Sequence, residues 1–227
     1  MIGENPVKLD PSVKKKYPEF VIGYAIARKV KVEKTVKELE EEKRRVAKEA
    51  QQKYGSTPVL EIPEVKAYRE FYKAMNVDPA KVRPPAEYLI RKAVAGQPPS
   101  INSLVDSCLL ASIKYWAIVS VYDLDKAKGN LTVTLAKGTE SFQLIDGRTV
   151  APALAEILLK DDEKVLTAYA VGDARVTMVT PQTKNALIVA WNAPGIKRED
   201  TEKALETAVS YAKRFCAASI ERSEILT

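Results

Sequence analysis

The sequence predicts an α+β fold, a mixed and largely antiparallel set of sheets flanked by helices. Three observations carry that expectation. Apolar residues recur at helical spacing in blocks between Thr35 and Ser120, the period shifts towards two beyond Tyr122, and strands come in runs rather than in regular alternation with helices. No internal repeat, low-complexity segment or long linker divides the 227 residues, so a single domain is expected over 1–227.

Taken in order, the start holds Pro6, Pro11 and Pro18 among scattered charges, without the apolar block of a signal peptide. Phe20–Ala27 is an apolar run of strand length. From Thr35 a helix of about five turns is expected, with Thr35 and Glu38 as a capping box and Gly55 past its end. Pro58 and Pro63 mark a loop, and Val65, Tyr68, Phe71, Tyr72 and Met75 form the inner stripe of a second helix. After Pro84 and Pro85, Ala86–Gly96 reads as a short helix, and Ile101–Ser120 as mainly helical from Ser103.

Strands follow at Leu131–Leu135, with a turn at Lys137-Gly138-Thr139, and at Phe142–Ile145 before Asp146-Gly147. Glu156–Leu159 and Val165–Val171 make a second hairpin across Asp161-Asp162. Strands are expected near Arg175–Val179 and Ala186–Trp191. A closing helix starts at Asp200 or Thr201 and turns Ala204, Leu205, Ala208, Val209, Ala212, Phe215 and Cys216 inward, and the last residues fray.

Composition narrows the chemistry. The longest apolar stretch, around Trp116–Val121, is far shorter than the roughly 18–20 residues of a membrane helix, which points to a cytoplasmic protein. The absence of histidine removes the usual neutral-pH base and every Ser-His or Cys-His pair. Cys108 and Cys216 have no Cys or His nearby in sequence, so neither a metal site nor a cofactor is implied. The formal charge of +6 favours a polyanionic partner. A Lys/Glu-rich chain without histidine fits a thermophilic source. No phosphate loop, dinucleotide fingerprint or nucleophile elbow is present.

What stands out is an ordered series. It begins with Arg83-Pro84-Pro85, Glu87 and Ile90-Arg91, continues with Pro99-x-Ile101-Asn102-x-x-Val105-Asp106 and Tyr122-Asp123-Leu124-Asp125 with Gly129, and closes on Glu140, Glu156, Asp161 and Thr183-x-Asn185. That order over residues 82–191 resembles the B3/B4 domain of the phenylalanyl-tRNA synthetase beta subunit. On that resemblance, 1–81 supplies an N-terminal strand-helix part and 195–227 the closing helix of a free-standing relative.

The resemblance implies hydrolysis of a mischarged aminoacyl-tRNA, a second sieve for a pocket that cannot reject a near-isostere. It also implies tRNA or aminoacyl-tRNA, rather than DNA, as partner. The alternative is a non-catalytic tRNA-binding module. Where the bacterial-type pocket carries Thr-Asn, this chain has Cys108-Leu109, and where it carries a histidine, Ser120. Asp173 stands in the region of its glutamate.

The candidate substrate-binding residues are therefore Asn102, Asp106, Ser107, Ser120, Asp123, Asp173, Thr183 and Asn185. Asn102 and Asp106 suit helix capping as well as substrate contact, and Asp123, Thr183 and Asn185 suit turns. Cys108 suits a core position as well as a reactive one. Arg175 is the preferred phosphate or terminal-adenosine contact, with Arg83, Arg91, Lys126 and Lys128 as further cations.

Overall fold

The computed structural model describes residues 7–227, and the reading of residues 1–6, Pro6 included, lies outside them. Strand β1 (Val7–Leu9) and helix α1 (Pro11–Lys16) occupy the Pro-rich start that sequence pattern left without elements. Asp10 caps α1 by accepting from Ser12 N at 2.8 Å, and Pro11 takes the first helical position, where its missing N–H costs nothing.

Strand β2 (Ile22–Arg28) leads to helices α2 (Lys37–Tyr54), α3 (Pro63–Ala74), α4 (Pro85–Val94) and α5 (Ser103–Tyr115). Strand β3 (Ile118–Asp123) follows, then β4 (Leu131–Leu135), β5 (Phe142–Gln143), β6 (Thr149–Val150), β7 (Ile157–Lys160), β8 (Val165–Ala168), β9 (Gly172–Asp173) and β10 (Asn185–Trp191). Helix α6 (Arg198–Cys216) and strand β11 (Ser219–Leu226) complete the chain.

The strands form a four-stranded sheet, β11-β2-β10-β3, a five-stranded sheet, β1-β4-β7-β8-β9, and the small β5-β6 ribbon. All described pairings are antiparallel except β1 with β4. The α+β expectation holds. Strands β2 and β10 are apolar without alternation because nearly every residue in them is buried. At Gly23 a Cβ would meet Ile225 Cδ1 at 2.7 Å and Leu205 Cδ2 at 3.0 Å, so glycine is what lets β11 and α6 close on β2.

Several expectations are corrected. Helix α2 begins at Lys37 with Val36 in the cap position and no side-chain cap, so the Thr35–Glu38 capping box does not form. The helix read through Ser120 stops at Tyr115, because Trp116 turns left-handed (φ 61°) and the chain re-emerges as β3. Likewise Ala217 (φ 50°) ends α6, and the tail expected to fray pairs with β2 as β11. Neither terminator is glycine, so neither carries the usual sequence mark of a helix end. Trp116 is held by the fold: its indole N–H donates to Tyr54 Oη at 2.9 Å, and its carbonyl accepts from Tyr68 Oη at 2.6 Å. Strand β4 pairs with β7 and β1 rather than with β5, and Arg175–Thr177 is a 3-10 turn instead of a strand.

An aromatic cluster joins the two sheets. The Phe71 ring, on α3, lies 5.1 Å from those of Tyr17 and Tyr169 and 6.2 Å from that of Phe20. Deleting it leaves a cavity among side chains already fixed by other contacts. Phe71→Ala is expected to lower unfolding free energy by about 3–5 kcal/mol, read from urea denaturation.

Candidate functional site

A cleft of about 520 Å³ opens between α4, the Pro99–Asn102 segment leading into α5, strand β3 and the segment from Asp173 to Val179. Its lining is mostly apolar, with Leu89, Val105, Leu109, Val119 and Val121 among the walls. Beneath it, Pro85, Ile118, Ser120 and Asp173 also border a recess of about 70 Å³ that reaches Thr167 and Trp191. Both spaces exist because β3 is the edge strand of its sheet, and what faces that edge is a helix and a loop rather than another strand.

Polar groups converge at the inner end. Tyr122 Oη donates to Asp173 Oδ1 at 3.1 Å, and the hydroxyls of Ser120 and Thr167 adjoin the Tyr122 phenol. Asp173 is half-buried and lines both the cleft and the recess. Burial pushes its carboxyl above the usual value, and hydrogen bonds from Thr167 and Tyr122 oppose the shift only in part. Gly172 (φ 123°) lets the chain turn sharply from β8 to bring that carboxylate inward. Cys108 lines the cleft, but burial drives its thiol far up, so it offers no thiolate.

Of the residues singled out from sequence, the structure brings Asn102, Ser120 and Asp173 to the cleft. The Asn102 side chain is also committed as the α5 N-cap, accepting from Val105 N at 3.0 Å. Five others lie elsewhere. Asp106 is buried, paired with Lys43 Nζ at 2.6 Å and accepting from Ile101 N at 2.8 Å. Ser107 Oγ bonds back to Ser103 O within the helix. Asp123 accepts from Asp125 N at 3.1 Å and from Thr183 Oγ1 at 2.7 Å, while Asn185 donates to Asp125 at 2.7 Å. These three polar positions lace the 3-10 turn after β3 to the loop before β10.

The cations also separate. Arg175 is exposed on a different, open groove with Glu140, Phe142 and Lys164. Lys126 and Lys128 follow β3 and do not line the cleft, and the Lys128 backbone N–H donates to Asp161. Arg91, on the helix that forms one cleft wall, and Arg83, just before that helix, both pair with Glu87. Sequence reasoning missed Tyr88, Ile101, Met178 and Thr167. For Tyr88 a signal existed, since it lies off the inward stripe of Ala86, Leu89, Ile90 and Ala93 and is solvent-exposed. Among the described residues no group of three His, Cys, Asp or Glu side chains is arranged to hold a metal ion, and no helix is long and apolar enough to cross a membrane.

Comparison with known proteins bears on this geometry. The family model of the B3/4 domain matches residues 67–217, from within α3 through the end of α6. The chain belongs to the B3/4 domain family. Within that family it is 30% identical over 113 residues to a phenylalanine–tRNA ligase beta subunit from Fusobacterium nucleatum, covering 49% of this chain and 14% of the relative. It is 27% identical over 130 residues to the corresponding subunit of Rhodopseudomonas palustris, covering 56% and 16%. This chain therefore aligns with only a small part of either curated relative. The B3/4 fold is also seen in the crystal structure of an N-terminal fragment of the phenylalanyl-tRNA synthetase beta subunit from Pyrococcus horikoshii, at TM-score 0.50 and 15% identity, over 97% of this chain and 54% of that one. The likeness reaches well outside residues 82–191 at both ends. In this B3/4 domain, Cys108, Leu109, Ser120 and Asp173 line one cleft.

Two outcomes follow. Lys43→Met leaves Asp106 buried without its cation, and is expected to cost about 3 kcal/mol of stability at neutral pH by urea unfolding. That loss shrinks as acid protonates the stranded carboxyl. Asp173 works in the opposite direction from a paired carboxylate: its folded value is raised above 3.8, so ionisation disfavours the fold. The wild type is free of that cost at low pH and acquires it as pH rises through the raised value. Asp173→Asn is therefore expected to gain stability relative to wild type progressively above about pH 4, measured as urea midpoints across a pH series.

Proposed function

We propose that the chain hydrolyses mischarged aminoacyl-tRNA in trans, with the cleft receiving the aminoacyl ester at a tRNA 3′ end. The observation that carries this reading is the cleft itself. Its volume lies within the range of small-molecule sites, its walls are apolar, and its polar groups are few and convergent. The relatives that match the chain are beta subunits of phenylalanine–tRNA ligase, which gives the ester of an amino acid on tRNA as the ligand to consider.

The geometry favours an amino acid with a largely apolar side chain bearing a polar tip. The body lies against Leu89, Val105 and Val119, and the tip meets Asp173, Tyr122 and Ser120. A raised carboxyl is suited to this, because it exchanges a hydrogen bond with a neutral hydroxyl at less desolvation cost than a fully ionised group. Water adds to the ester carbonyl, the bond from that carbon to the ribose oxygen breaks, and the ribose oxygen leaves with a proton. With no histidine in the chain, Cys108 protonated and Asp173 engaged by the side-chain tip, the base for water is a group of the substrate, such as its ribose hydroxyl or terminal phosphate. The cleft then contributes by orientation and exclusion of bulk water.

The absence of a histidine from the chain and of a thiolate from the cleft is the one observation that favours the second reading, a tRNA-binding module without catalysis. A panel of correctly and incorrectly charged tRNAs decides between them. Selective loss of charge from mischarged species supports hydrolysis. For a substrate with a hydroxylated side chain, Asp173→Ala is expected to slow deacylation by about 10- to 100-fold, as loss of one buried hydrogen bond should. Ser120→Phe, which fills the cleft, should abolish it while leaving tRNA affinity unchanged. Retention of tRNA with no deacylation of any species would support the binding module instead.

A further inference from the structure

Tyr88, Ile101, Ile145 and Met178 are large apolar side chains left exposed, and all four rim the cleft mouth. Tyr88 is 43% exposed and its ring is the aromatic one of the set. Directly before it in α4, Glu87 is buried at 3% exposure and takes three guanidinium groups, those of Arg69 at 2.8 Å, Arg91 at 3.1 Å and Arg83 at 3.5 Å. One carboxylate cannot neutralise three cations. Two positive charges remain in excess, and Arg83 and Arg91 keep 58% and 42% of their side chains open to solvent. Glu87 holds both in place, so their free N–H groups are already ordered when an anion arrives. Arg91 is one turn beyond Tyr88 on the same helix, at the spacing that makes side chains neighbours.

An aromatic face beside fixed guanidinium groups is the arrangement that binds a base and its phosphate together. We propose that α4 is the landing surface for a single-stranded RNA 3′ end, with a base stacked on Tyr88 and phosphates held by Arg83 and Arg91, so that the strand enters the cleft from this side. The inference rests on the reading of the cleft as the receptacle for a charged tRNA end, and adds the path by which that end arrives. It assigns a binding function to Tyr88. It also moves the principal phosphate contact from Arg175, which faces another groove, to the guanidinium cluster. Charge favours RNA here, since the surplus is cationic and a phosphate backbone supplies matching negative charge beside bases that can stack.

The test is fluorescence anisotropy of a short labelled single-stranded RNA ending in a free 3′ adenosine, and of deacylated tRNA, with the full chain. Tyr88→Ala is expected to weaken binding by roughly 5- to 100-fold, and Tyr88→Trp to keep it. Arg83→Gln combined with Arg91→Gln should weaken it further at low salt and flatten the salt dependence by about 0.7 per lost phosphate contact. These positions are exposed, so unchanged thermal unfolding serves as the folding control. Wild-type binding to RNA that none of these variants alters would overturn this inference and leave the cleft reading intact. No RNA binding by the wild type would overturn both. Binding of polyglutamate rather than RNA, sensitive to the same substitutions, would make the surface a docking site for acidic protein and overturn it as well.

Discussion

Backbone N–H groups in the connections of this fold are buried among side chains and must be paired inside the protein, and a small set of carboxylates meets that demand. Glu156, fully buried, accepts from the backbone N–H groups of Ala153, Ala170 and Val171. Asp161 accepts from those of Lys128, Glu163 and Lys164. Unpaired, each such N–H would cost roughly 1–3 kcal/mol, so these acidic residues decide where the loops can lie.

The cleft inherits its shape from those loops. Asp106 receives Ile101 N and the Lys43 ammonium, and Lys43 also reaches Ser100. This clamp fixes Ser100, Ile101 and Asn102, which form one lip. The opposite wall depends on Glu156, because the N–H groups it takes belong to the turn that leads directly into Gly172 and Asp173. Positioning thus comes largely from residues that do not line the cleft, while the Tyr122 hydroxyl and the Asp173 carboxylate that face it bond to each other and not to backbone. An apolar cavity with one partly paired carboxyl is tolerated because the surrounding network is rigid.

The recurring acidic and polar positions take on a physical meaning in this light. Asp106, Asp123, Glu156, Asp161 and Thr183 stand out in the sequence as an ordered series. In the structure each is a partner for a turn, a cap or an ion pair. Ser120 and Asp173, assigned from their place within that series, line the cleft. A motif made of loop-fixing residues transmits the fold reliably, which is why kinship was legible. It says less about the pocket, whose lining is mostly apolar and shares its residue types with the core.

By itself, the sequence determined the α+β class, the positions of α2, α3, α4 and the central strands, the lack of a histidine-based mechanism and the kinship with B3/4 domains. Periodicity reaches that far because burial of one face imposes a repeat on each element. The ends of α5 and α6 escaped it. Trp116 is held in left-handed geometry by Tyr54 and Tyr68, and Ala217 takes that geometry without being glycine, so β11 and the start of β3 could not be read locally. Tertiary structure alone decided which carboxylates face a cavity and which face a backbone, and that Tyr88 stands at a rim beside three arginines gathered on one glutamate. The spacing of Arg83, Glu87, Tyr88 and Arg91 is local, but the arrival of Arg69 on the same glutamate and the place of Tyr88 at a cleft mouth depend on approach between segments that no local pattern encodes.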